Sequence, residues 1–190
     1  LVAFPNIIKL AENIRDKKTK LSVEAIDWGQ IFKEQLELDL PKSWFTHNFM
    51  KNGAKVFLKL YFRLKGEGLE NIPNGPFILA PNHQSFFDGL FVAVFLKNKL
   101  MKQTYFYAKE KHVKNWLLKF AAAKNNVIVM DLTDLKTSLQ KMAEVLKRGK
   151  NIIIFPEGTR TQNGKIGEFK KTFAILSREL NVPIVPVAIN

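Results

Sequence analysis

A histidine and an aspartate stand five positions apart in the stretch APNHQSFFDG, residues 80–89, between the apolar runs PFIL and LFVAVFL. An imidazole titrates near neutrality, so it can accept a proton from a hydroxyl while that hydroxyl attacks an electrophile. A carboxylate on the other ring nitrogen fixes the tautomer and stabilises the imidazolium that forms. His83 and Asp88 are therefore a candidate base and its orienting partner, and no nucleophilic serine is needed if the substrate brings its own hydroxyl. A plainer account fits the same residues. Ser-x-x-Asp ahead of an apolar run is a capping-box pattern, with Ser85 capping a helix and Asp88 reaching back. The spacing alone leaves both readings open.

A second block, NIIIFPEGTR at 151–160, again sets polar residues just past an apolar run: Glu157, Gly158, Thr159 and Arg160. A turn with a surface ion pair would explain them. A glycine, however, lets main chain approach a ligand closely, and a guanidinium binds phosphate through two parallel hydrogen bonds. Lys170 and Lys171 follow at the start of an expected helix, a favourable place for an anion.

The elements that must position these residues alternate in type. FILAP, TYFYAK, NVIVM, NIIIF and IVPVAI read as strands. Between them FFDGLFVAVFLKN, HVKNWLLKFAAA, DLKTSLQKMAEVLKRG and FKKTFAILSREL carry apolar residues at helical spacing. Continuous apolar strands separated by helices predict an α/β fold, a central mostly parallel sheet flanked by helices. The helix from Asp134 to Arg148 is expected to be capped by Thr133 or Asp131 and stopped by Gly149. N-terminal helices are expected to precede the sheet: one from Pro5 and one in DWGQIFKEQL. A longer amphipathic helix over 43–68 should end near Gly66, with Lys51, Lys55, Lys59 and Arg63 along one face. Residues 1–40 read as a helical linker or the tail of an upstream module, and 41–190 as the main domain. The start at Leu1 and the stop just after a strand mark the chain as a piece of a longer protein.

Composition narrows the chemistry. The 190 residues carry a net charge of +13 and no cysteine, which rules out disulfides, thiolate metal sites and a cysteine acyl-enzyme. Residues 97–124 hold eight lysines against one glutamate, a field that attracts anionic lipid, nucleic acid or phosphorylated small molecules. No run of about 18 apolar residues is present to span a membrane; the richest stretch, FFDGLFVAVFL, is too short and contains Asp88.

NHQSFFD, FPEGTR followed by FKK, and VPIVPVAI, in that order and spacing, resemble the glycerolipid acyltransferase family typified by lysophosphatidic acid acyltransferases. The resemblance runs from about residue 60 to 190. It implies transfer of a fatty acyl group from an acyl thioester, acyl-CoA or acyl-ACP as co-substrate, to a hydroxyl of a lysophospholipid or glycerol-phosphate-type acceptor. His83 would be the general base and Asp88 its partner. Glu157, Gly158, Thr159 and Arg160 would form the phosphate and glycerol subsite, with Lys170 and Lys171 adding charge. No bound cofactor, metal or covalent acyl-enzyme is implied. An N–H near His83 or at the PEG turn would hold the oxyanion.

Two positions depart from the family's pattern. Leu132 stands about where members carry a middle-strand arginine, and Thr172 replaces the glycine after FK-x, which puts the acceptor headgroup in question. FPNIIKLAENI faintly resembles the last helix of acyl or peptidyl carrier domains, suggesting an upstream acyl-activating or carrier module. The aromatic and basic helix over 43–68 and the lysines of 97–124 predict a cytoplasmic protein peripheral to an anionic membrane surface. Three rival readings remain. KQTYFYAKEKHVKNW has the lysine and aromatic content of a single-strand binder, but no nucleic-acid motif accompanies it and no nucleic acid is expected. A noncatalytic lipid-binding module would leave the His–Asp pair unused. A metal-dependent hydrolase would take His83, Asp88 and Glu157 as ligands, with His47 and His112 outside any metal motif.

Overall fold

Five apolar runs form five strands: β1 (Ile78–Pro81), β2 (Thr104–Lys109), β3 (Val127–Met130), β4 (Asn151–Ile153) and β5 (Ile184–Val187). The computed structural model describes residues 26–34, 36–42, 45–110, 113, 115–130 and 134–190. Every strand pair is parallel and the order is β3-β2-β4-β1-β5. All four residues of β1 are buried, as expected for a central strand covered on both faces.

Side-chain alternation along the strands divides the core in two. Ile78, Ile128, Ile152 and Ile154 face α6 (Leu135–Lys147) and α7 (Thr172–Leu180), while Phe77, Leu79 and Ile153 face α3 (Asp88–Ala93) and α4 (Asn98–Met101). Phe77, Ile78, Leu139, Ile152 and Leu176 are among the side chains with essentially no exposure. Each such burial is worth about 1.5–3 kcal/mol. α6 presents Leu139, Met142, Ala143 and Leu146 to the sheet at helical spacing. Its N-cap is Asp134 itself, whose Oδ1 accepts the Thr137 N–H at 2.9 Å. Thr133 and Asp131, the expected caps, lie outside the described residues, as do Pro5, the carrier-like stretch, Trp44, His112 and Leu132.

Three expectations are corrected. First, the packed unit reaches back before residue 41. α1 (Trp28–Lys33) lies on the α6–α7 face with Phe32 in the core, and Lys147 donates to Phe32 O, Arg148 to Leu38 O and the Tyr105 hydroxyl to Pro41 O. Second, FFDGLFVAVFLKN does not form one helix. It makes α3, a turn and then the short α4, because the segment must bend to reach β2. Third, α2 (Phe45–Phe62) ends at Phe62, where Arg63 adopts a left-handed conformation (φ 53°), so the helix stops before Gly66. Nor is its basic row fully solvated. Lys51 is only 5% exposed, and its ammonium donates to Leu96 O and Asn98 Oδ1, pinning α2 to the segment after α3. α5 (Trp116–Lys124) lies between β2 and β3.

Candidate active site

β1 and β4 are neighbours, and both lead into polar loops at their carboxyl ends. From β1 the chain passes to the α3 face, and from β4 to α7 on the other face. A crevice opens where such connections diverge, the usual ligand position in an open α/β sheet.

His83 follows β1. Its ring stacks on Phe155 with centroids 4.0 Å apart and an interplanar angle of 21°. Nδ1 lies 2.8 Å from Asp88 Oδ2. Asp88 opens α3 and is fully buried, and the same Oδ2 accepts the N–H groups of Gln84 at 2.6 Å and Ser85 at 2.8 Å. Because the carboxylate accepts, the hydrogen-bond network assigns the proton to Nδ1 of the neutral ring and the lone pair to Nε2. The capping-box pattern is present in part. The bond from Ser85 N–H to Asp88 is the return half of a capping box. The Ser85 hydroxyl, however, accepts from Phe87 N at 3.2 Å, forming a serine turn instead of the other half.

Glu157 is buried beneath this loop. Its Oε1 accepts the His83 N–H at 2.8 Å and its Oε2 the Gly167 N–H at 2.8 Å. Both oxygens face main-chain donors, so its geometry is that of a tie between two loops, the one after β1 and its own after β4. Among the described residues no three His, Cys, Asp or Glu side chains gather as a metal site would require. Gly158 turns the chain in a left-handed conformation (φ 70°) that its lack of a side chain permits, with its N–H donated to Phe155 O at 3.0 Å. Thr161 N–H in turn donates to His83 O at 2.8 Å.

Gly158, Thr159, Arg160 and Lys170 line the same cavity as His83, a space of about 1160 Å³. Lys171 is exposed at the N-terminus of α7 and does not line it. One cation in the wall escaped the sequence reading. Lys109, the last residue of β2, donates to Gly158 O at 3.1 Å. Among the many lysines of 97–124 nothing in its type distinguishes it; its place at the carboxyl end of a strand was the available signal.

A chain of aromatic rings leads from α2 to this loop. Phe57 stacks on Tyr61 at 5.6 Å, Tyr61 meets Phe62 at 4.8 Å, and Phe62 meets Phe91 at 5.7 Å. Phe91 approaches Phe87 at 6.5 Å and Phe87 approaches Phe86 at 6.0 Å. Phe57, Tyr61, Phe62, Phe86 and Phe87 are exposed. No helix among the described residues is long and apolar enough to cross a membrane.

The parallel sheet with flanking helices is the fold the sequence predicted. The family model described as Acyltransferase matches residues 63–190, and the chain belongs to that family. The chain is 29% identical over 150 residues to the chloroplast 1-acyl-sn-glycerol-3-phosphate acyltransferase LPAT1 of Arabidopsis thaliana, covering 76% of this chain and 41% of that protein. It is 31% identical over 134 residues to the 1-acyl-sn-glycerol-3-phosphate acyltransferase of Pseudomonas aeruginosa, covering 67% and 49% respectively. The crystal structure of the 1-acyl-sn-glycerophosphate acyltransferase PlsC from Thermotoga maritima superposes with a TM-score of 0.57 at 31% identity, over 74% of this chain and 57% of that one. The chain thus spans less than half the length of these two sequence relatives.

Proposed function

We propose that the chain transfers a fatty acyl group from an acyl thioester, on coenzyme A or acyl carrier protein, to a hydroxyl of a lysophospholipid or glycerol-phosphate-type acceptor in phospholipid synthesis. The observation that carries this reading is His83, 2.8 Å from the buried Asp88, lining the same cavity as Lys109, Arg160 and Lys170. The relatives named for this acyltransferase activity support it.

In this reading Nε2 of His83 takes the proton of the acceptor hydroxyl as its oxygen attacks the thioester carbonyl carbon. Asp88 stabilises the imidazolium. The tetrahedral intermediate collapses with loss of the thiolate, which receives the proton back from His83, leaving a new oxygen ester and a free thiol. The N–H groups of His83, Gln84 and Ser85 are already donated within the protein. Gly158 and Thr161 N–H are donated as well, so in this reading the oxyanion's donors are the Thr159 and Arg160 N–H groups of the turn after Glu157, the other stretch the sequence offered. Lys109, Arg160 and Lys170 hold the acceptor's phosphate, and they supply the charge that Leu132 lacks. The exposed rings from Phe57 to Phe86 rest in the interfacial layer of an anionic, cytoplasmic membrane face, delivering lipid to the cavity mouth as a peripheral protein does.

The test is release of thiol and formation of the new ester, followed together across lysophospholipids of different headgroup with both donors. His83→Ala should reduce both by roughly 10³-fold or more while the fold is retained. Equal rates in wild type and variant would overturn the reading.

A further inference from the structure

The imidazole of His83 is met from two directions. Asp88 Oδ2 lies 2.8 Å from Nδ1 at the edge of the ring, while Phe155 stacks on its face with centroids 4.0 Å apart and planes inclined by 21°. Phe155 is itself held in place. Its side chain packs against the apolar cluster of Phe77, Leu79 and Ile153, and its carbonyl accepts the Gly158 N–H at 3.0 Å. The preceding residue, Ile154, donates its N–H to Leu79 O at 2.9 Å, which ties the start of this loop to β1.

Two neutral rings at this separation gain ordinary packing energy. The balance changes when the imidazole takes a proton. The face of a phenyl ring carries the negative part of its quadrupole and attracts a cation within about 6 Å of its centroid, more strongly where water is excluded. The His83 side chain keeps only 20% of its surface exposed, so the charge would form in a largely dry place. The sequence points the same way. Positions 152–154 are all isoleucine, and the aromatic ring appears only at 155, where the chain meets the histidine.

We propose that Phe155 is a positioning residue for the base: it fixes the plane of the His83 ring and stabilises the imidazolium through its π face, beside the charge that Asp88 supplies at the edge. The inference rests on the acyl-transfer reading and deepens it, because this stabilisation operates only while His83 holds the acceptor's proton.

The experiment replaces Phe155 in the full chain by phenylalanines with successively more ring fluorines, which drain electron density from the face while nearly keeping the shape. The kcat for thiol release should fall stepwise, by about five- to thirtyfold at full fluorination, with little change in acceptor KM. Titration of the His83 ring protons by NMR, without substrate, should show imidazolium forming at progressively lower pH in the same order. The other groups around the ring are common to the whole series: Asp88 at Nδ1, Glu157 at the main-chain N–H, and Lys51, Tyr107, Lys109, Arg160 and Lys170 in the cavity wall. The trend therefore isolates the π face. Phe155→Leu, apolar but without that face, should behave like the fully fluorinated protein. A titration that stays put across the series, or a level kcat while thiol is still released, would overturn the proposal, since packing alone predicts both. A titration that follows the series in a protein releasing no thiol sinks the acyl-transfer reading and leaves the contact between the two rings standing.

Discussion

Asp88→Asn isolates the electrostatic part of the proposed mechanism while keeping the shape of the turn. The asparagine carbonyl can still accept from Gln84 and Ser85 N–H, which Asp88 Oδ2 now serves. What disappears is the negative charge 2.8 Å from His83 Nδ1, set on a side chain with no exposure. With about 4 Å between charge centres and an effective dielectric of about 20, the attraction to an imidazolium is about 4 kcal/mol. That attraction arises only when His83 is protonated, in the transition state, so its loss should lower kcat by about 10³-fold. The amide also places N–H donors where Asp88 Oδ1 is buried without a partner among the described residues. That costs about 1–3 kcal/mol, a fall in Tm of about 2–4 °C per kcal/mol. The assay is the initial rate of thiol release at saturating acceptor, beside thermal melts by circular dichroism. A folded variant within tenfold of wild-type kcat would refute the reasoning, since the charge would then have no part in the rate-limiting step.

Arg160→Ala and Lys109→Ala should each raise KM for a phosphate-bearing acceptor about tenfold with less effect on kcat; an unchanged KM would assign that residue to the fold alone. Glu157→Gln puts an amide against one of two N–H donors, His83 or Gly167. It should lower stability by about 2 kcal/mol and lower kcat with it, whereas an unaltered melt would show that the tie is dispensable. Burial, then Lys55, lowers the Lys51 ammonium below its usual 10.5. The unfolded chain therefore holds this proton in an alkaline window where the folded protein has released it, and stability rises with pH up to 10.5. Lys51→Met should remove that component of the Tm–pH slope, and an identical slope in both proteins would contradict it. Replacing Phe57, Tyr61 and Phe62 by serine should abolish flotation with anionic vesicles at low salt; failure of the wild type itself to float would end the peripheral-membrane reading.

The strands were legible because each is a short apolar run bounded by turn residues, and TYFYAK coincides with β2 to the residue. Helices were legible where apolar spacing dominates, as in α6, and were misjudged where tertiary contact overrides it. Lys51 reads as part of a basic face until Leu96 O and Asn98 take its ammonium. α1 reads as a polar helix before the domain because only Phe32 of its side chains is fully buried, with Trp28 and Ile31 packed partly against the core, and other ties run through carbonyls that receive Lys147 and Gln140. Main-chain carbonyls have no sequence signature. The same holds for Lys109, whose side chain becomes informative only once β2 is known to end beside Gly158.

The two motifs are parts of one structure rather than two contributions to a shared pocket. Glu157 accepts the N–H of His83, and Thr161 donates to the carbonyl of the same residue, so the second block grips the main chain of the histidine on both sides. On the other flank Asp88 holds the Nδ1 of that ring together with the two N–H groups that follow it. His83 is thereby restrained at its ring, its N–H and its carbonyl, by residues that come from two neighbouring strands. In the proposed mechanism such restraint gains rate, since misplacement of a base by about 1 Å costs on the order of a hundredfold. Sequence motifs separated by so many residues can therefore act as a unit for a mechanical reason. The glutamate of the second motif holds the main chain of the histidine of the first, and its arginine lines the same cavity from the same turn.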